Sequence, residues 1–222
     1  MRPKVLSLLC ILWLLPVLNA ETTLDQVFAK MDDTAKSFHS IECSLEQTKI
    51  TVLVDDKDVK SGKLYYSRAG KEPRLKVEIS KPGEQKLLID KGKFQLYTPS
   101  IKQLQEGSLG SHASAVDQLM AVGFGQSSSD LKKNFKVTMA GEEVIDGKKT
   151  AILDLAPNAP MAVVKTLRMW IDEQKGIALQ VKVTESGGDY TIYKYTNIKV
   201  NSTLPDDAFE LKMPKDVHVN KL

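Results

Sequence analysis

Three histidines, His39, His112 and His218, are the first residues to test for chemistry, because imidazole serves both metal binding and proton transfer. They stand far apart, with no cysteine or carboxylate at the spacing of a ligand set such as HExxH or CxxC, so no metal site is expected. The sequence holds no GxSxG, no P-loop and no GxGxxG, and no cofactor is expected either. Ser127-Ser128-Ser129 offers hydroxyls, but a serine run beside glycine reads as a flexible linker. Glu142-Glu143 and Asp206-Asp207 resemble acid/base pairs on paper. Neighbours on a strand point to opposite faces, so neither pair converges. No residue set forms a nucleophile–base pair, and an enzyme is not expected. Cys43 alternates with Ile41 and Leu45 and reads as a small buried hydrophobe rather than a reactive thiol.

The N-terminus carries an address. Arg2 and Lys4 precede an apolar run from Val5 to Leu15, and Pro16 to Ala20 ends in a small residue. This is the layout of a secretory signal peptide, spanning residues 1–20, with export to the periplasm expected. The run is too short for a comfortable membrane span. The remainder, 21–222, is about the size of one domain. Removing Arg2 and Lys4 takes most of the formal charge of +3 with them, so no basic footprint for nucleic acid remains. Only Cys43 stays behind, and an internal disulfide is excluded, so the fold must rest on its core.

The elements that would position any site begin with a helix. Leu24, Val27, Phe28, Met31, Ala35 and Phe38 recur at three- and four-residue steps, and Thr23 with Gln26 fits a capping box. From Ile41 the period becomes two. Ile41, Cys43 and Leu45 share one face, while Ile50, Val52 and Val54 take the other parity, which predicts a bulge near Gln47 and Thr48. Asp55 to Lys60 reads as a polar turn. Strands are predicted at Ser61–Ser67, Arg74–Ser80, Lys86–Asp90, Lys93–Thr98 and Ile101–Gln105. Ser114 to Val122 keeps helical spacing, Gln126 to Ser129 reads as a linker, and Asp130 to Asn134 adds a helical turn. Strands then return at Phe135–Ala140, Glu142–Ile145, Thr150–Ala156, Val163–Asp172, Ile177–Glu185 and Asp189–Val200, with Phe209 and Leu211 as a last edge. The expected class is mainly β: a long, strongly curved antiparallel sheet of about 11 strands, with about three helices on one face.

Such a sheet must bury an apolar concave side, and two readings of that side stand together. One is plain core packing; the other is a cavity for an apolar ligand, which needs concavity and a movable cover. Under the second, the lining falls on Leu75, Val77 and Ile79 of one strand, with Leu87 and Ile89 beyond them and Phe94 and Leu96 after the turn. Leu119 and Met120 come from the middle helix. Parity in Val163–Asp172 places Val163, Leu167, Met169 and Ile171 together, and Val164, Arg168 and Trp170 opposite them. The next strand adds Leu179, Val181 and Val183 to the apolar face.

One set of short motifs carries a resemblance. Phe38-His39-Ser40-Ile41 is followed by Leu45 and Gln47, then by Ser61-Gly62-Lys63-Leu64-Tyr65, Pro73-Arg74, Pro82, Asp90-Lys91-Gly92, Tyr97-Thr98-Pro99 and Gln103. Leu153-Asp154-Leu155-Ala156-Pro157, Leu167-Arg168-Met169-Trp170-Ile171-Asp172 and Tyr195-Thr196-Asn197 come later, and Leu204-Pro205-Asp206, Phe209 and Pro214 close the series. In order and spacing the chain resembles the outer-membrane lipoprotein carrier (LolA-like) family over nearly all of residues 21–222. The resemblance implies an incomplete antiparallel β-barrel covered by helices and enclosing a hydrophobic cavity. It implies a soluble, monomeric periplasmic shuttle for acylated lipoproteins, with an inner-membrane ABC-type exporter as donor and an outer-membrane receptor as acceptor. In that family an arginine often precedes the proline facing the lid. Here Glu72 occupies that latch position before Pro73, so a weaker latch and easier ligand exchange are expected, with Arg68 or Arg74 as the substitutes. The same fold also serves carriers of other lipids, and sensors that regulate an anti-sigma factor. Those sensors usually carry a second C-terminal domain, whereas this sequence runs only eight residues past Pro214.

Overall fold

The computed structural model describes residues 22–68, 73–110, 123–161 and 163–222. The predicted helix at Ser114–Val122 and the signal segment fall outside these residues. Helix α1 (Leu24–Ser37) opens as its capping box predicts: Thr23 Oγ1 accepts the Gln26 N–H at 3.3 Å, and the Gln26 side chain accepts the Thr23 N–H at 2.9 Å. It buries Val27, Phe28 and Met31. No helix among the described residues is long and apolar enough to cross a membrane.

Everything else is organised by one sheet. Its strands are β1 (Ser40–Thr51), β2 (Asp56–Ser67), β3 (Arg74–Lys81), β4 (Gln85–Asp90), β5 (Lys93–Thr98) and β6 (Gln103–Ser108), followed by β7 (Phe135–Ile145), β8 (Lys148–Pro157), β9 (Val164–Asp172), β10 (Ala178–Glu185), β11 (Tyr190–Val200) and β12 (His218–Lys221). The spatial order is β12-β6-β5-β4-β3-β2-β1-β11-β10-β9-β8-β7. Neighbours are antiparallel except β12 and β6, which run parallel. The sheet is strongly curved and does not close. Its inner face carries the main core, in which α1 and β1–β4 meet β8–β10.

Several local expectations give way to the pairing. Asp56 to Lys60 is not a turn, because Asp56–Ser67 is one strand paired residue by residue with β1. The turn is Val52–Asp55, with Val52 to Val54 in a 3₁₀ turn and Asp55 at φ 50°. β1 stays in register through Gln47 and Thr48. Its irregularity lies at Glu42/Ser44, opposite Asn197 at φ 52°, where β11 carries the extra residue. The sixth strand begins at Gln103, after a turn over Pro99–Ile101. Phe135 to Ile145 is a single strand with a shift at Met139/Gly141.

Gln126 to Ser129 is not a linker. Helix α2 (Ser128–Asn134) starts within it, its Ser127 side chain capping the Asp130 N–H at 3.1 Å. Asp32 of α1 accepts the Ser128 N–H at 2.6 Å and its hydroxyl at 2.8 Å, and the Lys132 ammonium lies 4.1 Å from the Phe28 ring centre. The two helices are thereby joined on the inner face. α1 also seats on the β9–β10 turn, where a Cβ at Gly176 would meet the Lys30 carbonyl at 2.5 Å.

Phe209 and Leu211 form no strand. The chain from Asn201 to Val217 instead crosses the outer face from β11 toward β6, and the final strand is β12, beyond Pro214. Arg74 stacks over Phe209 at 4.2 Å, and Ala208 is buried. Lys76 is buried beneath this strap, held by Glu78 at 3.0 Å and the Asp207 carbonyl at 3.5 Å.

Candidate lipid-binding cavity

On the inner face the two halves of the sheet enclose an apolar cavity of about 500 Å³. That is within the range of roughly 300–1,000 Å³ usual for small-ligand sites. Strands from both halves line it. Leu45 and Leu64 come from β1 and β2, Leu75 and Val77 from β3, and Leu87 from β4. Leu167 of β9, Val181 and Val183 of β10, and Tyr193 and Tyr195 of β11 face them. Seven of the residues that strand parity nominates therefore meet here: Leu75, Val77, Leu87, Val163, Leu167, Val181 and Val183.

The other nominated residues divide by location. Ile79, Ile89, Met169 and Ile171 are buried in the core on the same face but do not line the cavity. Phe94 packs against the edge of that core and borders a separate cleft near β12, and Leu96 is paired with Leu87 across β4–β5 without reaching the lining. Leu179 is displaced to the outer face. A register shift between Ala178 and Gln180 inserts it as an extra residue, and it packs with Trp170 and Ile145. Trp170 lies on that outer face as parity predicts, its indole N–H donating to Glu143 Oε2 at 2.6 Å. A second shift near Thr184/Glu185 turns Val164 inward beside Leu167, and leaves Val163 at the rim, 59% exposed. Leu119, Met120 and Glu72 lie outside the described residues.

The cavity is graded in polarity. Gln47 and Glu185 stand where β1 and β10 approach their hairpin tips, and they form the rim, while Thr191 lines the wall as a buried residue. Phe124, Tyr195, Leu64 and Leu167 lie deeper. Phe124 stands edge-on to Tyr195 at 4.7 Å between ring centres, and it continues through Tyr66 at 6.4 Å to Phe38 at 6.0 Å. Phe124 holds this place because its neighbour Gly125 has φ 61° and no Cβ, which would overlap the Phe38 ring. Burial pushes the hydroxyls of Tyr195 and Tyr193 above the ordinary phenol range, with the Glu185 carboxylate adding to the effect at Tyr193. Burial likewise pushes the Cys43 thiol beneath this floor up to about 12, with Glu42 contributing. The interior disfavours charge, as an apolar ligand requires.

Sequence parity did not single out Gln47, Glu185, Phe124 or the β11 tyrosines. Thr191, Tyr193 and Tyr195 alternate at period two and carry a readable signal, whereas Phe124 depends on the backbone around Gly123 and Gly125.

Of the nominated latch residues, Arg68 meets a helix. Its Nη2 donates to the Ala35 carbonyl near the end of α1 at 3.2 Å, and its guanidinium lies 5.6 Å from the Phe38 ring centre. Arg74 does not, because it points to the outer strap. Arg68→Ala is expected to speed release of a bound acyl chain about fivefold, the equivalent of roughly 1 kcal/mol for a lost hydrogen bond, by loosening the Phe38–Tyr66–Phe124 series. Arg74→Ala is expected to leave release unchanged. Stopped-flow displacement of a fluorescent fatty acid measures both, and equal rates for Arg68→Ala and the parent remove the latch.

A family model described as outer membrane lipoprotein carrier protein LolA matches residues 36–212. The chain belongs to the LolA family. The outer-membrane lipoprotein carrier protein of Chromohalobacter salexigens is 24% identical over 158 residues, covering 71% of this chain and 69% of that protein. Among solved structures, an uncharacterized conserved protein of Thermus thermophilus aligns with a TM-score of 0.57 at 11% identity, over 89% of this chain and 98% of its own. MucB aligns with a TM-score of 0.52 at 11% identity, over 85% of this chain; the chain spans 62% of MucB's length. These two likenesses are of fold.

Proposed function

We propose that this LolA-family chain is a non-catalytic periplasmic carrier that holds the acyl chains of lipoproteins in the cavity between the two halves of its sheet. The carrying observation is the graded lining. Leu64, Phe124, Leu167 and Tyr195 offer an apolar floor, while Gln47 and Glu185 offer polar partners at the rim. An acyl chain is apolar along its length and polar where it is esterified, so it matches this gradient end for end. Each methylene removed from water contributes about 0.8 kcal/mol, which is why a soluble escort needs such a cavity. No nucleotide or metal is required, because differences in affinity along a route set its direction. In this reading residues 1–20 direct export, an inner-membrane exporter is the donor and an outer-membrane receptor the acceptor. The family match and the C. salexigens relative support lipoprotein as the cargo.

The test is the cargo itself. Protein released from the periplasm of an expressing cell is expected to be a monomer beginning at Glu21, and native mass spectrometry is expected to find one acylated ligand per chain. Recovery of a free glycolipid in place of acylated protein would assign the cavity to another lipid. Recovery of hydrolysed acyl product in excess of protein would make the chain an enzyme.

A further inference from the structure

The β1–β2 hairpin ends in three consecutive exposed apolar residues. Among the described residues no large apolar side chain is more exposed than Leu53, at 93%, and Val52 and Val54 beside it are 55% and 67% exposed. The fold does not need them there. The 3₁₀ turn buries none of its residues, and its hydrogen bonds come from backbone: the Asp55 N–H donates to the Val52 carbonyl, and the Val52 N–H donates to Asp189 Oδ1 at 2.9 Å. Polar side chains would serve such a turn better, because contiguous exposed apolar residues mark interaction sites. The tip is also held in place. β1 and β2 remain paired out to Thr51 and Asp56, and Asp189 ties the turn to the neighbouring β10–β11 hairpin.

The tip stands at the cavity rim. Lys49, three residues before it, lies 3.7 Å from Glu185, which lines the rim together with Gln47. Val163, also on the rim and more than half exposed, accepts the Ser186 N–H at 2.9 Å from the β10–β11 turn.

We propose that Val52, Leu53 and Val54, with Val163 beside them, form a membrane-docking tip that enters the interface of a lipid bilayer and brings the cavity rim against it. This rests on the acyl-carrier reading, and it states where such a carrier meets the lipid phase. The occupant follows from shape and charge. A narrow convex tip finds a place in a fluid interface without a matching pocket, whereas a protein partner would have to supply one. Lys49, Lys57 and Lys60 are balanced by Asp55, Asp56 and Asp58 along the same hairpin, so the attraction is apolar and not directed to anionic lipid. The three side chains hold about ten aliphatic carbons, fewer than a myristoyl chain, which gives only marginal and reversible binding. Docking is therefore transient, as a shuttle requires.

The test uses the exported protein, its N-terminus verified by mass, with phosphatidylcholine vesicles and a parallel titration of a fluorescent fatty acid in vesicle-free buffer. The parent is expected to co-sediment weakly, with little dependence on salt. Leu53→Asp is expected to reduce the vesicle partition at least tenfold, with the melting temperature and fatty-acid affinity unchanged. Val219→Asp, at an exposed apolar position on the far edge strand, is expected to change neither. Equal partition of Leu53→Asp and the parent overturns the proposal. So does a parent that ignores phosphatidylcholine, which would point to a protein partner, or one that binds only anionic vesicles at low salt. Loss of fatty-acid binding in the parent, with tip-dependent vesicle binding intact, would instead refute the cargo reading and leave the tip in place.

Discussion

Met169→Glu is expected to destabilise the protein by about 3–5 kcal/mol, the cost of burying a carboxylate with no partner. For a chain of this size that corresponds to a fall in melting temperature of roughly 6–20 °C. Met169 is fully buried in the hydrophobic core that joins α1 to the sheet. The adjacent residue supplies the control. Arg168 points outward, half exposed, and pairs with Asp154 at 2.6 Å and 2.8 Å. Arg168→Glu loses a surface pair and sets two acids opposite one another, a cost of about 1 kcal/mol or less. Thermal denaturation followed by circular dichroism distinguishes the two. A larger fall for Arg168→Glu would mean that the faces of β9 are assigned the wrong way round.

Val183→Trp is expected to weaken acyl binding at least tenfold while leaving the melting temperature within a few degrees. Val183 lines the cavity and is only partly buried, so an indole placed there occupies space meant for ligand without forcing the core apart. Its neighbour Lys182 lies on the outer face with its ammonium 3.8 Å from the Tyr190 ring centre. Lys182→Ala is expected to leave binding unchanged. Titration with a fluorescent fatty acid measures both variants. Unchanged affinity in Val183→Trp would place the acyl chain elsewhere and remove the cavity from the proposed function. Trp170 serves as an internal check: it is on the outer face, so its emission is expected to shift little when the cavity fills.

What the sequence determined by itself was local. The apolar stripe from Leu24 to Met31 and the Thr23–Gln26 box specify α1, because helix period and capping depend on residues within one or two turns. Period-two alternation specifies most strands and correctly separates Met169 from Arg168, because successive side chains on a strand take opposite faces. Seven cavity residues were legible on those grounds alone. Only the tertiary structure decided the rest, because each miss depends on how a strand pairs with its neighbour or on a partner far away in the chain. Leu179 leaves the inner face, and Val164 enters it, through register shifts fixed by pairing between β9 and β10. Asp56–Lys60, polar enough to read as a turn, is strand because β1 pairs with it along its whole length. The strap over Lys76 and the parallel β12–β6 edge join segments more than 100 residues apart. Arg68 rather than Arg74 reaches α1 because neighbouring ends of β2 and β3 present them to opposite sides. Alternation records which residues share a face. Which faces meet, and around what space, is set by contacts between distant strands that no local pattern encodes.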